Sequence, residues 1–89
     1  MTQKEKIKII LLQKGYIDNF TTINTRLSIR LGMHINLLRN AGMEIIGCYG
    51  NRIENFNDRQ KKDNTKNFFY FTKENILKEK DGNYTLKNI

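Results

Sequence analysis

Residues 15–45 read GYIDNFTTINTRLSIRLGMHINLLRNAGMEI and contain two short helical patterns, one after the other. In the first pattern, Phe20, Ile23 and Leu27 recur at the spacing of one helix face, which predicts that these side chains point into the core. Asp18 or Asn19 is placed to open this helix, because a side-chain oxygen at that position accepts a backbone N–H of the first turn.

The second pattern predicts a helix over residues 30–41, in which Leu31, Ile35 and Leu38 share the inner face and Ala41 continues the row. Ser28 is a candidate cap for this helix. The link between the two patterns is too short to give the helices much freedom. We therefore expect them to cross at a steep angle, as they do in a helix-turn-helix unit.

An isoleucine-rich helix is predicted in front of this unit. Thr2 can cap the helix, and Gly15 is typical of the left-handed residue that follows a helix. The inner face of this helix is expected to consist of Ile7, Ile10 and Leu11, with Ile9 and Leu12 widening it. Residues 16–17 then predict a short extended piece that brings the chain back across the core.

Two strands are predicted behind the unit. Gly42 ends the second helical pattern, residues 44–53 are rich in β-forming side chains, and residues 67–72 read NFFYFT. The polar connection, residues 55–67, is longer than a tight turn requires and carries four cations. It predicts a basic wing, and the alternative is a solvated loop without a partner. The fold class expected is α+β: a winged helix-turn-helix with three helices, a β-hairpin wing and a short C-terminal element.

The chain has room for one domain and one core, since it has only 89 residues. We assign the winged helix-turn-helix to residues 1–72 and a C-terminal extension, which packs on the domain or forms a tail, to residues 73–89. Within the extension, residues 73–80 predict a last short helix, residues 81–83 a turn, and residues 84–89 a short strand or tail.

The stretch RLGMHINLLRNAGMEI, residues 30–45, resembles a leucine-rich pattern of small phage and prophage helix-turn-helix proteins. Arg30-Leu31 followed by Leu38-Arg39 and Gly42 is its most specific part. The resemblance implies a winged-helix fold and DNA binding in a phage or mobile element.

Three positions depart from that family. Leu37 stands where the family has a polar or acidic residue, and Gly32 and Met33 replace a small polar-to-alanine pair. The apolar Met33 and Leu37 suit a helix that packs against another protein.

The composition favours a polyanionic partner. Sixteen Lys and Arg against nine Asp and Glu give a net charge of +7 and a pI near 9.7. The positive electrostatic field of such a protein attracts nucleic acid.

The residues expected to touch duplex DNA lie in the second helical pattern and in the basic wing: Arg30, Met33, His34, Asn36, Asn40, Arg59, Lys61, Lys62 and Lys66. Arg30 can pair with guanine or a phosphate, and Asn36 or Asn40 can make a two-bond contact with adenine. Arg39 is placed either to brace the fold or to touch DNA.

The sequence offers no catalytic constellation. The single Cys48 excludes an internal disulfide and a cysteine-based zinc site, and His34 has no partner at a local spacing. We therefore expect no enzyme activity, no metal and no cofactor.

The longest apolar run among the first twenty residues, Ile9 to Leu12, is too short for a signal peptide or a membrane span. A cytoplasmic location in a bacterial host cell and no membrane partner are expected.

These patterns favour a sequence-specific or semi-specific DNA-binding protein of a phage or mobile element, acting as a small regulator of transcription or excision. The alternative is a phage anti-defence inhibitor that uses the same scaffold to bind a host protein or ribonucleoprotein. Residues 68–71 carry more apolar side chains than one buried face can use. Either a homodimer covers the excess, or the helices of the fold itself do.

Overall fold

The computed structural model describes residues 1–24 and 30–89, and of Asn24 only the backbone. The helices in this part of the chain are α1 (Gln3–Lys14), α2 (Asn19–Asn24), α3 (Leu31–Asn40) and α4 (Asp58–Asp63). The strands are β1 (Tyr16–Asp18), β2 (Ile45–Tyr49), β3 (Phe68–Thr72), β4 (Ile76–Lys80) and β5 (Asn83–Leu86). The fold is α+β, as predicted, but the described residues form four α-helices where three were expected. The predictions for Leu27, Ser28 and the link between the helical patterns lie outside the described residues.

Helix α1 begins and ends where the sequence predicts. The Glu5 backbone N–H donates to the Thr2 hydroxyl over 3.2 Å, and the Gly15 N–H donates to the Leu11 carbonyl over 2.8 Å. Gly15 has φ 87°, a left-handed conformation that glycine adopts without steric cost. Ile7 and Leu11 are both fully buried, but Leu12, which was expected to widen the inner face, is 65% exposed.

Strands β1, β3 and β2 form an antiparallel sheet in that order, with β3 in the centre. The predicted hairpin of β2 and β3 is confirmed, and the predicted extended piece before α2 is β1. Tyr70 of β3 pairs with Ile17 and Gly47, whereas Phe71 pairs with Tyr16 and Ile46. Because successive residues of a strand point to opposite faces, Tyr70 and Phe71 lie on different sides of the sheet.

Helices α1 and α3 cover the face of the sheet that carries Ile17 and Ile45. The core between these elements consists of Ile7, Leu11, Ile17, Leu31, Ile35, Leu38 and Ile45. The predicted inner face of α3 is therefore confirmed at Leu31, Ile35 and Leu38, whereas Ala41 is exposed at the C-cap position. Gly42 follows with φ 102°.

The C-terminal hairpin of β4 and β5 packs on the opposite face. The core on that side consists of Cys48, Ile53, Phe69, Phe71 and Leu86. The Asn55 amide fixes the hairpin, because it both accepts from the Leu86 N–H over 2.8 Å and donates to the Leu86 carbonyl over 2.9 Å. The hairpin thus covers Phe69 and Phe71 of β3. The helices cover the other side of β3 only in part, since Phe68 and Tyr70 are half-buried.

The prediction of a helix over residues 73–80 is wrong. Residues Lys73–Asn75 form a single 3-10 turn, and β4 follows directly. The predicted turn after β4 is confirmed: Asp81 and Gly82 have φ 54° and 80°, the conformation of a tight hairpin turn. Pairing with β5 gives Ile76 and its neighbours backbone partners, and this pairing outweighs their helical pattern.

The predicted wing loop contains α4. Asn57 opens this helix with a reciprocal capping box, since its side chain accepts from the Gln60 N–H over 2.8 Å and the Gln60 side chain accepts from the Asn57 N–H over 2.9 Å. Such a box satisfies two N–H groups that a helix start otherwise leaves unpaired. The charged residues after Asn57 form a helical turn because of this cap.

The predicted inner face of α2 is wrong at both described positions, since Phe20 is 43% and Ile23 is 54% exposed. Thr22 is the buried residue, and its hydroxyl donates to the Asp18 carbonyl over 2.6 Å. The Asp18 carboxylate caps the helix by accepting from the Thr21 N–H over 3.1 Å, as predicted. A six-residue helix that follows β1 directly takes its orientation from the strand.

Candidate nucleic-acid interface

Helix α3 is held against the core along one side. Leu31, Ile35 and Leu38 are 3%, 0% and 2% exposed, and they recur at the i, i+4 and i+7 spacing that places side chains on one helix face. The Met43 N–H also donates to the Leu38 carbonyl over 3.1 Å and ties down the end of the helix. The orientation of the opposite side of α3 is thereby fixed.

The outer side of α3 presents several of the residues expected at the interface. Met33, Asn36 and Asn40 are exposed, and so is Leu37. No acidic residue occurs between Leu31 and Asn40, so this surface does not repel a phosphate backbone. Its chemistry is mixed, because two amides alternate with two apolar side chains.

Two further residues of the predicted set, Arg30 and His34, differ in their exposure to solvent. Arg30 is exposed at the N-cap position of α3. His34 is only half-exposed, and its Nδ1 atom is buried without a hydrogen-bond partner among the residues described. His34 is therefore less available to a partner than the sequence pattern indicates.

Arg39 braces the outer side of α3. Its Nε donates to the Ile45 carbonyl over 3.0 Å, and a terminal guanidinium nitrogen donates to the Asn36 side-chain oxygen over 3.3 Å. The guanidinium carbon lies 6.0 Å from the centre of the Tyr70 ring. Of the two roles expected for Arg39, the structural one is observed, with a backbone carbonyl and a side-chain amide as its partners.

The four cations expected in the wing lie on α4 and just after it. Arg59, Lys62 and Lys66 are exposed. Lys61 is half-buried, and its Nζ lies 3.6 Å from a carboxylate oxygen of Glu54. An ion pair reduces the charge that Lys61 offers to a phosphate.

Helix α4 is attached to the end of the sheet. It packs against the 3-10 turn Gly50–Arg52, and the Gly50 N–H lies 3.1 Å from the Asn64 carbonyl and 3.0 Å from that of Asn67. The buried Asn67 side chain donates to the Asp18 carboxylate over 2.9 Å and accepts from the Phe20 N–H over 3.1 Å. These contacts connect the basic segment to the start of α2.

An aromatic row, formed by Tyr49, Phe68 and Tyr70, lies on the same sheet face as α1 and α3. The Tyr49 and Phe68 ring centres are 4.9 Å apart, and those of Phe68 and Tyr70 are 5.0 Å apart. Tyr49 is 51% exposed, and the other two rings are half-buried. Sequence reasoning missed this row, although the alternation of the two strands is the signal that could have shown it.

Tyr70 joins the aromatic row to α3. Its hydroxyl oxygen lies 3.5 Å from the place that a Cβ atom on Gly32 would occupy. Burial raises the pKa of Tyr70 above its ordinary value of 10.0, while the nearby Arg39 acts in the opposite direction. Tyr70 is therefore a neutral hydrogen-bond donor at physiological pH.

Cys48 takes no part in this surface, because it lies in the core on the opposite face of the sheet. Burial raises the pKa of its thiol to about 11, with Arg52 acting in the opposite direction. A thiol that keeps its proton at neutral pH is a poor nucleophile and a poor metal ligand. Cys48 therefore serves as a small buried apolar side chain.

The site belongs to a small α+β protein with an exposed, acid-free helix beside an aromatic row. No protein-family model, curated protein or solved structure matches this chain. The likeness of residues 30–45 to phage helix-turn-helix proteins therefore stays a prediction from the sequence. None of the helices in residues 1–24 and 30–89 is both long and apolar enough to cross a membrane.

Proposed function

We propose that this chain is a winged-helix protein of a phage or mobile element that binds duplex DNA through α3, as a small regulator of transcription or excision. The observation that carries the proposal is α3 itself. One side of this helix is buried, and the other side is exposed and free of acidic residues. Its 10 residues give a length of about 15 Å, which suits a helix that lies in the major groove.

The order of the elements supports the same proposal. Helices α1, α2 and α3 precede the antiparallel pair of β2 and β3, and β1 joins that pair at the edge of β3. Helix α4 takes the place of the wing loop between the two strands.

The distribution of charge indicates where phosphates would lie. Helix α1 carries four lysines and one glutamate, and α3 with its N-cap carries Arg30 and Arg39 and no acid. The segment 54–66 carries four cations but also three acids. The first and third helices therefore contribute more net positive charge to a phosphate surface than the wing does.

Salt-dependent binding to a random DNA duplex tests the proposal. Each neutralised phosphate contributes a slope of about −0.9 to the plot of log K against log salt concentration. We expect a slope near −4, from about four phosphates held by cations of α1 and α3. A slope near zero, or no binding at low salt, would contradict DNA binding.

Asn36→Asp locates the binding surface. The variant adds one negative charge to the outer side of α3 and keeps an acceptor for Arg39, so the fold is expected to persist. We expect duplex affinity to fall about tenfold or more, because a carboxylate facing the bases or phosphates both repels them and loses the amide donor. Lys78→Gln, which changes the net charge by the same amount on exposed β4, is the matched control.

The exposed apolar residues of α3 favour a second candidate function, inhibition of a host protein or ribonucleoprotein. Met33 and Leu37 are 46% and 45% exposed, and exposed apolar side chains on one helix are typical of protein interfaces. The double variant Met33→Ala, Leu37→Ala distinguishes the two functions. It leaves duplex binding within about twofold if α3 reads DNA through its amides, and it abolishes capture of a host partner if α3 binds protein.

A further inference from the structure

The aromatic row is partly open to solvent, since Tyr49 is 51% exposed and Phe68 and Tyr70 are half-buried. Phe68 lies over Gly47, because a Cβ atom on Gly47 would collide with the Phe68 ring. The ring is thus held on backbone atoms, while part of it stays open to solvent. Tyr49 stands edge-on to Phe68, with an interplanar angle of 87°, and is half exposed.

The row is bordered by cations and amides. Arg39 lies over Tyr70 at one end, and Asn36 holds the Arg39 guanidinium in place. At the other end, Lys66 is exposed two residues before Phe68. Among the described residues, those placed against the row are Arg39 and Gly32 at Tyr70 and Gly47 under Phe68, and none of these is acidic.

We propose that the aromatic row binds unpaired bases of single-stranded DNA by stacking. Aromatic side chains beside a cationic groove are the recurring means by which proteins hold single strands, because every base has a π-face. Bases in a duplex are stacked on one another and do not expose that face, so the row suits a single strand better than a double helix.

Charge complementarity selects a polyanion as the occupant. The chain has a net charge of +7, and a row with Arg39 over Tyr70 and the exposed Lys66 two residues before Phe68 attracts a phosphate backbone. The choice of DNA over RNA rests on the function proposed for α3, which borders the row through Gly32 and Arg39.

Binding of a short fluorescein-labelled oligothymidylate, measured by anisotropy, tests the proposal. Tyr49→Ala is expected to weaken binding about tenfold, the effect typical of removing one stacked aromatic ring. Tyr49→Phe keeps the ring and is expected to bind as the parent protein does. Leu77→Ala removes a similarly exposed apolar side chain from β4 and is the matched control.

A spectroscopic readout separates stacking from a structural effect. The chain has four tyrosines and no tryptophan, so the oligonucleotide is expected to quench tyrosine fluorescence, and Tyr49→Phe is expected to lose a large part of that quenching. Phe68→Leu keeps the apolar volume over Gly47 and removes the π-face. It is expected to weaken binding without lowering the thermal unfolding temperature much.

Equal binding by the parent protein and Tyr49→Ala overturns the proposal, as does the absence of oligothymidylate binding at low salt. Tighter binding of oligouridylate overturns the assignment to DNA. A duplex measured beside the single strands tests α3 separately. If the parent protein binds oligothymidylate but does not bind the duplex, the function proposed for α3 is rejected and single-strand binding by the aromatic row is supported.

Discussion

Replacing Asn67 by alanine is expected to lower the free energy of unfolding by about 3 kcal/mol, because it removes three hydrogen bonds from a buried position. Asn67 is 2% exposed. Its side chain donates to the Asp18 carboxylate over 2.9 Å and to the Asn64 side-chain oxygen over 3.0 Å, and it accepts from the Phe20 N–H over 3.1 Å. One amide therefore connects the start of α2, the end of α4 and the start of β3.

The magnitude follows from the kind of each bond. A hydrogen bond to a charged group contributes about 1.5–3 kcal/mol, and each of the two neutral bonds contributes about 1 kcal/mol or less. The Phe20 N–H and the Asn64 oxygen are part-buried, so water can replace some of what they lose. For a domain of this size, a loss of about 3 kcal/mol corresponds to a fall of about 12–24 °C in the unfolding temperature.

Urea and thermal unfolding, followed by circular dichroism, provide the measurement. Asn51→Ala, at an exposed position of the 3-10 turn, is the matched control and is expected to change stability by less than about 0.5 kcal/mol. Asn67→Asp is expected to be most destabilised at neutral pH and to recover on acidification, since its new carboxylate would face that of Asp18. A loss under about 1 kcal/mol for Asn67→Ala would refute this account of the buried amide.

Three further predictions concern the packing of the sheet and its neighbours. Gly15→Ala is expected to cost more than about 2 kcal/mol in urea unfolding, because φ is 87° and the new Cβ would lie 2.7 Å from Cγ of the buried Asn75; an unchanged midpoint would contradict this. Phe71→Ala is expected to cost about 3–5 kcal/mol, because the ring is fully buried between the sheet and the C-terminal hairpin, and a smaller loss would mean that the hairpin is loosely packed. Because burial raises the pKa of Cys48 from 9.0 to about 11, the folded protein keeps a proton that the unfolded chain loses, so stability is expected to fall as the pH rises above 9 towards 11. Cys48→Ala is expected to show a smaller fall, and equal falls in the two proteins would contradict the shift.

Helices whose signals lie within a few residues were predicted well from the sequence. Thr2 and Gly15 bound α1 as expected, and the inner face of α3 is the predicted one. In both helices the apolar residues are neighbours at i, i+3 or i+4, and the caps are local hydrogen bonds. These interactions do not depend on the rest of the chain.

Elements whose partners are distant were predicted less well. Residues 76–80 were expected to be helical, yet they form β4, because a short element has a weak intrinsic preference and its pairing with β5 decides its state. The charged segment after Asn57 was expected to be a loop, yet it is α4, although its capping box of Asn57 and Gln60 is a local signal. The prediction of the buried side of α2 was wrong. Thr22, whose hydroxyl bonds to Asp18 of β1, is buried in place of Phe20 and Ile23.

The candidate interface was predicted only in part. Met33, Asn36 and Asn40 are exposed on α3 as expected, because the inner face of that helix was correctly identified. The half-burial of His34 and the ion pair of Lys61 depend on neighbours that no local pattern reveals. Strand alternation could have placed Phe68 and Tyr70 on one face of β3, but only the register places Tyr49 opposite Phe68.

The sequence by itself determined the positive charge, the α+β class, the bounds of α1 and the buried face of α3, since each depends on composition or on residues a turn apart. The tertiary structure decided which side of each short element is buried and what covers the second face of the sheet. Contacts such as Asn55 with Leu86 and Gly15 with Asn75 join residues 31 and 60 positions apart. Their formation depends on how the whole chain closes on itself, and no local pattern of side chains encodes it.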